Sequence, residues 1–396
     1  MSSNMHKNKP LRLLMTVSTY KPHLDGVQFV TSYLAEGLAA KGHDVTVLTR
    51  AYPNLPDEEV IHGVAVKRLS VNSSLLHSSG DKAVFYEYIC QQQDNYDVLV
   101  NVCTQAPLTD WTLPVIHCIK KPVVLHLHSM WKFGLRKSDF TFFKVFAAKL
   151  LGNLRWGWYF VRYASAFKKY SAVLQLHEKD SACRFFKRFY GIDSTILENA
   201  AEQSFFFQEG IQKKKTIVYV ANYMKGKNQK RCVDLFMRSG IQEDWTLLLL
   251  GSKESGYYRE LRKYCEERYP EALDKRIQLL VGVDRSRLCE MVKESSLFMM
   301  TSLTEAFPIS IIEAMAAKVP YISTDVGIVK HLGGGVIARS DEAFIAYLQK
   351  YTQDDAARER LAQQAYDEAL QHYQIADKVD QLEQLLQQLA SKGQKE

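Results

Sequence analysis

The chain has 396 residues, 46% of them apolar, and a net charge of +7 at neutral pH. That length suits two or three domains, the apolar share excludes a disordered chain, and no run of apolar residues approaches a bilayer span. The seven cysteines are scattered with no C-x-x-C spacing, which predicts a reducing compartment and argues against structural zinc. The polar start, residues 1–10, lacks a signal-peptide core, so the expectation is a cytoplasmic protein.

In chain order, 11–18 predicts a first strand, the apolar spacing over 31–41 an amphipathic helix, and 42–49 a second strand. Strands follow at 64–69, 97–103 and 121–129, then a long helical region to about residue 170, a strand at 172–177 and a helix over 180–190. Residues 208–215 are polar and basic and read as a linker. A strand at 216–221 restarts the alternation, continued at 246–252, 277–282, 297–301 and 320–324, with helix from 341 onward. The α/β alternation predicts two Rossmann-like, doubly wound parallel-sheet domains divided at 207/208.

The stretch 301–327 carries the chemistry. A buried strand ends near Ser302, the chain turns, and a helix begins near Pro308, where a proline suits the first turn. Glu305 lies in the loop and Glu313 about one and a half turns into the helix, both at the carboxyl end of a parallel strand, where open α/β sheets bind ligands. A helix amino end suits a phosphate, and carboxylates accept hydrogen bonds from polyols. Together they suit a sugar attached to a diphosphate.

Ser302, Glu305, Ala306, Phe307, Pro308, Glu313, Ala314, Met315, Pro320, Val326 and Gly327 match the E-x7-E signature, and this segment resembles glycosyltransferase family 4, retaining enzymes of GT-B fold. Ile328 stands where the second glycine of the usual V-G-G falls. The resemblance implies that Glu305 contacts sugar hydroxyls, that the amides around Phe307, Pro308 and Ile309 face the donor, and that Glu313 holds the nucleotide ribose. It also implies that the terminal helix, 375–396, crosses back to the domain of residues 1–207, leaving 208–374 as the nucleotide-sugar domain.

Four further constellations bear on function. Gly26, after the first strand, permits close backbone approach to a ligand and matches a family position near the sugar diphosphate; Asp25 replaces a second glycine. His128, at the end of its strand, matches a family histidine near the reacting centre, whereas His126 reads as a core residue. Residues 221–229 resemble the family's G-R-L-x-x-x-K-[GN], which makes Lys227 the cation for the departing diphosphate and puts Asn222 where an arginine is usual; Lys225, Lys230 and Arg231 are candidate substitutes. Residues 131–170 hold nine Lys/Arg against Asp139 alone, interleaved with aromatic side chains, a pattern that suits an anionic membrane surface; nucleic acid is not an expected partner. Residues 196–202 resemble the interdomain P-N-G-x-D stretch, with Asn199 matching, and read as structural.

The resemblance thus implies a metal-independent transferase of a hexose-type sugar from a nucleotide-diphospho-sugar, with no cofactor. The acceptor is expected to be a glycan or lipid-linked glycan in cell-surface polysaccharide or lipopolysaccharide synthesis, at the inner face of the membrane. Lys227, His128 and Glu305 are the expected catalytic residues. Gly26, Asn222, Phe307, Pro308, Ile309 and Glu313 are the expected donor-binding residues. The alternatives are another GT-B enzyme (a nucleotide-sugar epimerase or a phosphorylase) or a non-catalytic nucleotide-sugar-binding subunit.

Overall fold

The structure, a computed structural model, describes residues 9–22, 26–73, 78–130, 133 and 143–393. The chain falls into two compact units, one formed by residues up to Glu198 together with Val379 onward, the other by Asn199–Lys378.

The first unit is built on strands β1 (Arg12–Thr16), β2 (Asp44–Arg50), β3 (Glu58–Ile61), β4 (Val64–Leu69), a small antiparallel ribbon β5 (Val71–Ser73) and β6 (Ser78–Gly80), β7 (Val98–Val102), β8 (Val123–Leu127), β9 (Ala172–Gln175) and β10 (Thr195–Ile196). Eight of them form one sheet in the order β10-β9-β8-β7-β1-β2-β4-β3, parallel except where β3 runs antiparallel to β4. The strands β7 and β8 are buried at every position, which is why both read as apolar runs, interrupted by Asn101 and His126, rather than alternating ones. Helices α1 (Gly26–Ala40), α2 (Lys82–Tyr86), α3 (Pro107–Thr112), α4 (Phe143–Arg162), α5 (Ala164–Lys169) and α6 (Ser181–Tyr190) accompany the sheet. Trp111, Phe85, Phe167 and Phe186 are fully buried in this unit's core. Asp180 caps α6 by accepting from the Ala182 amide at 2.9 Å, and Gly191 ends it at φ 72°, a left-handed position that favours glycine.

The second unit carries β11 (Lys214–Val220), β12 (Thr246–Gly251), β13 (Ile277–Val281), β14 (Ser295–Met300), β15 (Tyr321–Ser323) and β16 (Gly335–Ile337) in the all-parallel order β13-β12-β11-β14-β15-β16. Helices α7 (Gln229–Arg238), α8 (Gly256–Arg268), α9 (Arg285–Glu294), α10 (Ile309–Ala316), α11 (Asp341–Gln353), α12 (Asp355–His372) and α13 (Ile375–Gly393) follow. Renumbered within the unit, the strand order is 3-2-1-4-5-6, the dinucleotide-binding arrangement whose direction of winding reverses between the first and fourth strands.

The junctions between units lie at 198/199 and 378/379. Residues 199–207 pack in the second unit through Asn199, which donates to the Phe307 carbonyl at 2.9 Å, and through the Phe207 amide, which donates to Ala316 O at 2.8 Å. The basic segment 208–215 is not wholly linker, since Lys214 already belongs to β11. Beyond Lys378, α13 lies in the first unit, with Val379, Leu382, Leu386 and Ala390 buried. There Glu383 accepts from His43 Nε2 at 3.0 Å while His43 Nδ1 accepts from the Leu11 amide at 3.0 Å. The two bonds together place the ring proton on Nε2.

Candidate active site

The switch point between β11 and β14 gathers most of the predicted donor residues. After β11 the chain makes a tight turn, Lys225–Lys227, and enters α7 through Asn228 at φ 55°. After β14 it runs through Ser302–Phe307 into α10. The two loops are joined by the Leu303 amide, which donates to Gly226 O at 2.8 Å.

That junction brings Lys227 to Glu305, with Nζ 2.6 Å from Oε1 and both side chains mostly buried. Ser302 Oγ donates to the same carboxylate oxygen at 2.6 Å. Tyr219, from within β11, donates to Lys227 O at 2.8 Å and stands 2.7 Å from Ser302 Oγ. Tyr219 carries no motif signal, its hydroxyl lying within the apolar run 217–220 of β11. The far side of the Glu305 loop rests on Gly327, at φ 55°, where an added Cβ would lie 2.2 Å from Ala306 O. Only glycine tolerates both that conformation and that approach.

The amide end of α10 has no side-chain cap, Pro308 occupying the cap position. Pro308 carries no N–H, so the donors offered to an anion are the first helical amides, from Ile309 onward. Phe307 is buried and contributes its carbonyl to Asn199 instead. On the next turn Glu313 is buried, with its carboxyl only 4% exposed. Arg285, the first residue of α9, hydrogen-bonds Glu313 Oε1 through Nη2. Burial pushes the Glu313 carboxyl above its usual range, against the opposing pull of Arg285. Sequence reasoning missed Arg285, which belongs to no motif in the notation of spacing and is linked to Glu313 only through tertiary structure.

Asn222 does not replace the expected arginine in charge. Its Oδ1 accepts from Ser252 Oγ at 2.6 Å. Of the three substitute cations, Arg231 pairs with Asp341 at 2.9 Å and Lys230 lies over the Tyr264 ring at 3.9 Å. Lys225 is exposed in the same turn as Lys227.

Gly26 and His128 belong to the first unit. Gly26 is the first residue of α1, five positions earlier than the predicted helix start. Within it the Thr31 and Ser32 hydroxyls donate back to Val27 O and Phe29 O at 2.9 Å each. Asp25 lies outside the described residues. His128 follows β8 and is buried, its ring 4.4 Å from that of His126, and the Nε2 atoms of both lack a hydrogen-bond partner. Burial lowers both pKa values, His126 to about 4 and His128, with His126 beside it, well below the ordinary histidine range, so both rings are neutral near pH 7. On the adjoining strand end, Cys103 and Gln105 adopt left-handed φ values of 64° and 61°, and Thr104 Oγ1 and Gln105 Nε2 are buried without partners. Non-glycine residues held so are strained and concentrate at functional sites. Beside them Tyr159 of α4 donates to Asp110 at 2.6 Å, and burial raises the Asp110 carboxyl to about 6.

Of the basic aromatic stretch, residues 131–132 and 134–142 lie outside the described residues. In α4, Trp156, Tyr159 and Phe160 face the core, while Leu151, Leu154, Trp158 and Val161 are 63–70% exposed. Their spacing of three, four and three puts them on one face, with Arg155 and Arg162 four positions beyond Leu151 and Trp158. No described helix is long and apolar enough to cross a membrane, and no group of three or more His, Cys, Asp or Glu among the described residues is arranged to hold a metal ion.

Two family models match consecutive parts of the chain: Glycosyltransferase Family 4 over residues 24–179 and Glycosyl transferases group 1 over 201–368. Together these matches support a glycosyltransferase similar to those of family 4, with the GT-B fold of two Rossmann-like units. Among particular proteins, it is similar to GDP-mannose:cellobiosyl-diphosphopolyprenol alpha-mannosyltransferase of Xanthomonas campestris, 23% identical over 253 residues. That match covers 57% of this chain and 63% of the relative, so less than two thirds of the relative's length is spanned. In fold it is similar to sucrose-phosphate synthase from Thermosynechococcus elongatus, with a TM-score of 0.73 at 16% identity over 96% of this chain and 100% of that one. It is also similar to HepE from Anabaena in complex with UDP and glucose, with a TM-score of 0.70 at 17% identity over 95% and 99% of the two chains.

Proposed function

We propose that the chain transfers a hexose-type sugar from a nucleotide-diphospho-sugar to a glycan or lipid-linked acceptor, with retention at the anomeric carbon and without a divalent cation, in cell-surface polysaccharide or lipopolysaccharide assembly. The observation that carries this reading is the Lys227–Glu305 pair at the switch point, beside the uncapped amide end of α10 that bears Glu313. Lys227 and the helix amides are suited to the charge that develops on a departing diphosphate. Glu305 is suited to the sugar hydroxyls and Glu313 to the ribose. In the reaction the acceptor oxygen bonds to the anomeric carbon on the face from which the diphosphate leaves, the carbon–oxygen bond to phosphate breaks, and the acceptor proton passes to the departing phosphate oxygen. His128, neutral and buried, serves as a hydrogen-bonding group for the sugar rather than as a charged acid.

A nucleoside diphosphate and glucose occupy the Anabaena relative, and the Xanthomonas relative's name specifies a polyprenol-linked acceptor. Those names support the donor class and the lipid-linked acceptor proposed here. The exposed apolar face of α4 with its flanking arginines supports work at the inner, anionic face of a membrane.

The test is a thermal-shift screen across UDP-, GDP- and ADP-sugars, followed by a transfer assay with the stabilising donor, in the presence and absence of EDTA. Donor-dependent stabilisation and EDTA-resistant transfer are expected. Donor isomerisation without acceptor would favour an epimerase, and binding with neither transfer nor hydrolysis would favour a non-catalytic subunit.

A further inference from the structure

We propose that Arg285 is a positioning residue for the donor nucleotide: its pairing with Glu313 holds that buried carboxylate in the charged form and turns one oxygen toward the ribose hydroxyls. The proposal rests on the reading of Glu313 as the ribose ligand and names what makes that ligand competent.

The geometry is specific. Arg285 opens α9, and its guanidinium reaches three groups at once. Nη2 hydrogen-bonds Glu313 Oε1, Nε lies 3.4 Å from both oxygens of Glu202, and the plane lies over the Phe205 ring with 4.6 Å to its centroid. One Glu313 oxygen is thereby committed to Arg285. A carboxylate has about four acceptor sites, so the other oxygen retains capacity for two hydroxyls. A guanidinium keeps its charge throughout the working pH range, which a histidine would not.

The need for such a partner follows from burial. Taking a carboxylate out of water favours its neutral form, and the Glu313 carboxyl is already raised in spite of Arg285. Glu202, before the turn Gln203–Phe205, pushes in the same upward direction. Helix α12 packs on α10, but its charged groups are engaged elsewhere: Glu359 with Lys318, Arg358 with Asp355 and the Tyr351 carbonyl, Glu368 with the Gly333 amide and Tyr373. Among the described residues Arg285 is thus the group that opposes protonation of Glu313. A protonated Glu313 accepts fewer hydroxyls, so nucleotide affinity falls as pH falls through its pKa, and loss of Arg285 moves that fall to higher pH.

The experiment measures calorimetric affinity for UDP, GDP and ADP between pH 5.5 and 9 in wild type, Arg285→Gln, Arg285→Lys and Glu313→Gln. For Arg285→Gln the expected result is affinity within about threefold of wild type at pH 9, and an acid limb displaced upward by at least about one pH unit, a difference of about twofold at the displaced midpoint that approaches tenfold well below it. Arg285→Lys, which keeps the charge and guards against a folding defect in the neutral variant, should return the limb to its wild-type position with a uniform loss in affinity. A loss in Arg285→Gln that is the same at every pH marks a merely structural contact and overturns the proposal, as does no change. Carbon-13 NMR titration of labelled glutamates in wild type and Arg285→Gln reads the coupling without nucleotide; a Glu313 resonance that does not move upward in pH also overturns it. Normal, unaltered nucleotide binding by Glu313→Gln, alongside an NMR shift, would instead locate the failure in the ribose assignment.

Discussion

Lys227 and Glu305, 78 residues apart in sequence, form an ion pair with Nζ 2.6 Å from Oε1. The cation assigned to the phosphate and the anion assigned to the sugar are therefore within reach of one another, and the pair fixes both side chains. Lys227→Ala is expected to lower turnover by about 10²–10³-fold, the scale found when one donor to a developing anion is removed, with a smaller change in KM. Steady-state kinetics at saturating acceptor measures the split. A KM effect larger than the turnover effect would assign Lys227 to ground-state binding.

Gly327 controls the loop that carries Glu305. Gly327→Ala should cost about 1–3 kcal/mol from the left-handed backbone alone, and more from the contact with Ala306 O. Because the strain falls on residues 305–306, activity should fall further than stability does. Parallel denaturation and activity measurements on this variant, with Gly240→Ala as a control of like φ (61°) and open surroundings, separate strain from displacement.

Asp110 makes a pH prediction of the opposite sign to that of ordinary carboxylates. Its folded pKa of about 6 lies above the usual value near 4, so the folded state binds a proton more tightly than the unfolded chain. Its contribution to stability is lost as pH rises from about 4 to 6 and stays lost above that. Asp110→Asn keeps an acceptor for Tyr159 and should raise stability at pH 7.5 by about 2–3 kcal/mol, two pKa units at 1.36 kcal/mol each, with no gain at pH 4. Chemical denaturation at the two pH values checks this.

The exposed face of α4 should bind anionic vesicles. Replacing Leu151, Leu154, Trp158 and Val161 together by serine removes the apolar contact and is expected to reduce sedimentation with phosphatidylglycerol vesicles by at least about tenfold, given roughly 1.5–3 kcal/mol per buried large side chain. Transfer to a water-soluble acceptor should be unaffected. Equal sedimentation of both proteins would remove the membrane assignment.

The sequence made the sheets and the Glu305–Glu313 spacing legible because both rest on local pattern: buried strands appear as apolar runs, and a carboxylate pair straddling a helix start is set by a few consecutive residues. The antiparallel β3 was not legible. Its Glu58–Ile61 is two glutamates followed by two apolar residues, with no period-two alternation, and pairing with β4 decides it. The helical tail past 341 read as continuous, yet Asp354 ends one helix and begins the next by accepting from the Ala357 amide at 2.8 Å, a role that its type allows but does not demand. Arg285 and Tyr219 escaped for a common reason: each acts on a motif residue from a distant part of the chain, and one sequence records no such neighbour.

The return of α13 to the first unit has a consequence for biogenesis. During synthesis the sheet β1–β10 leaves the ribosome while the helix that covers α1, through Val379 lodged against Gly37 and Glu383 on Lys41 and His43, is not yet translated. The nascent amino-terminal half therefore carries an unfilled apolar seat for the time taken to make some 180 further residues, about 10–40 s at ordinary elongation rates. Its closure waits for α13 to be made, and a chain stalled or cleaved near residue 378 is expected to expose that apolar seat.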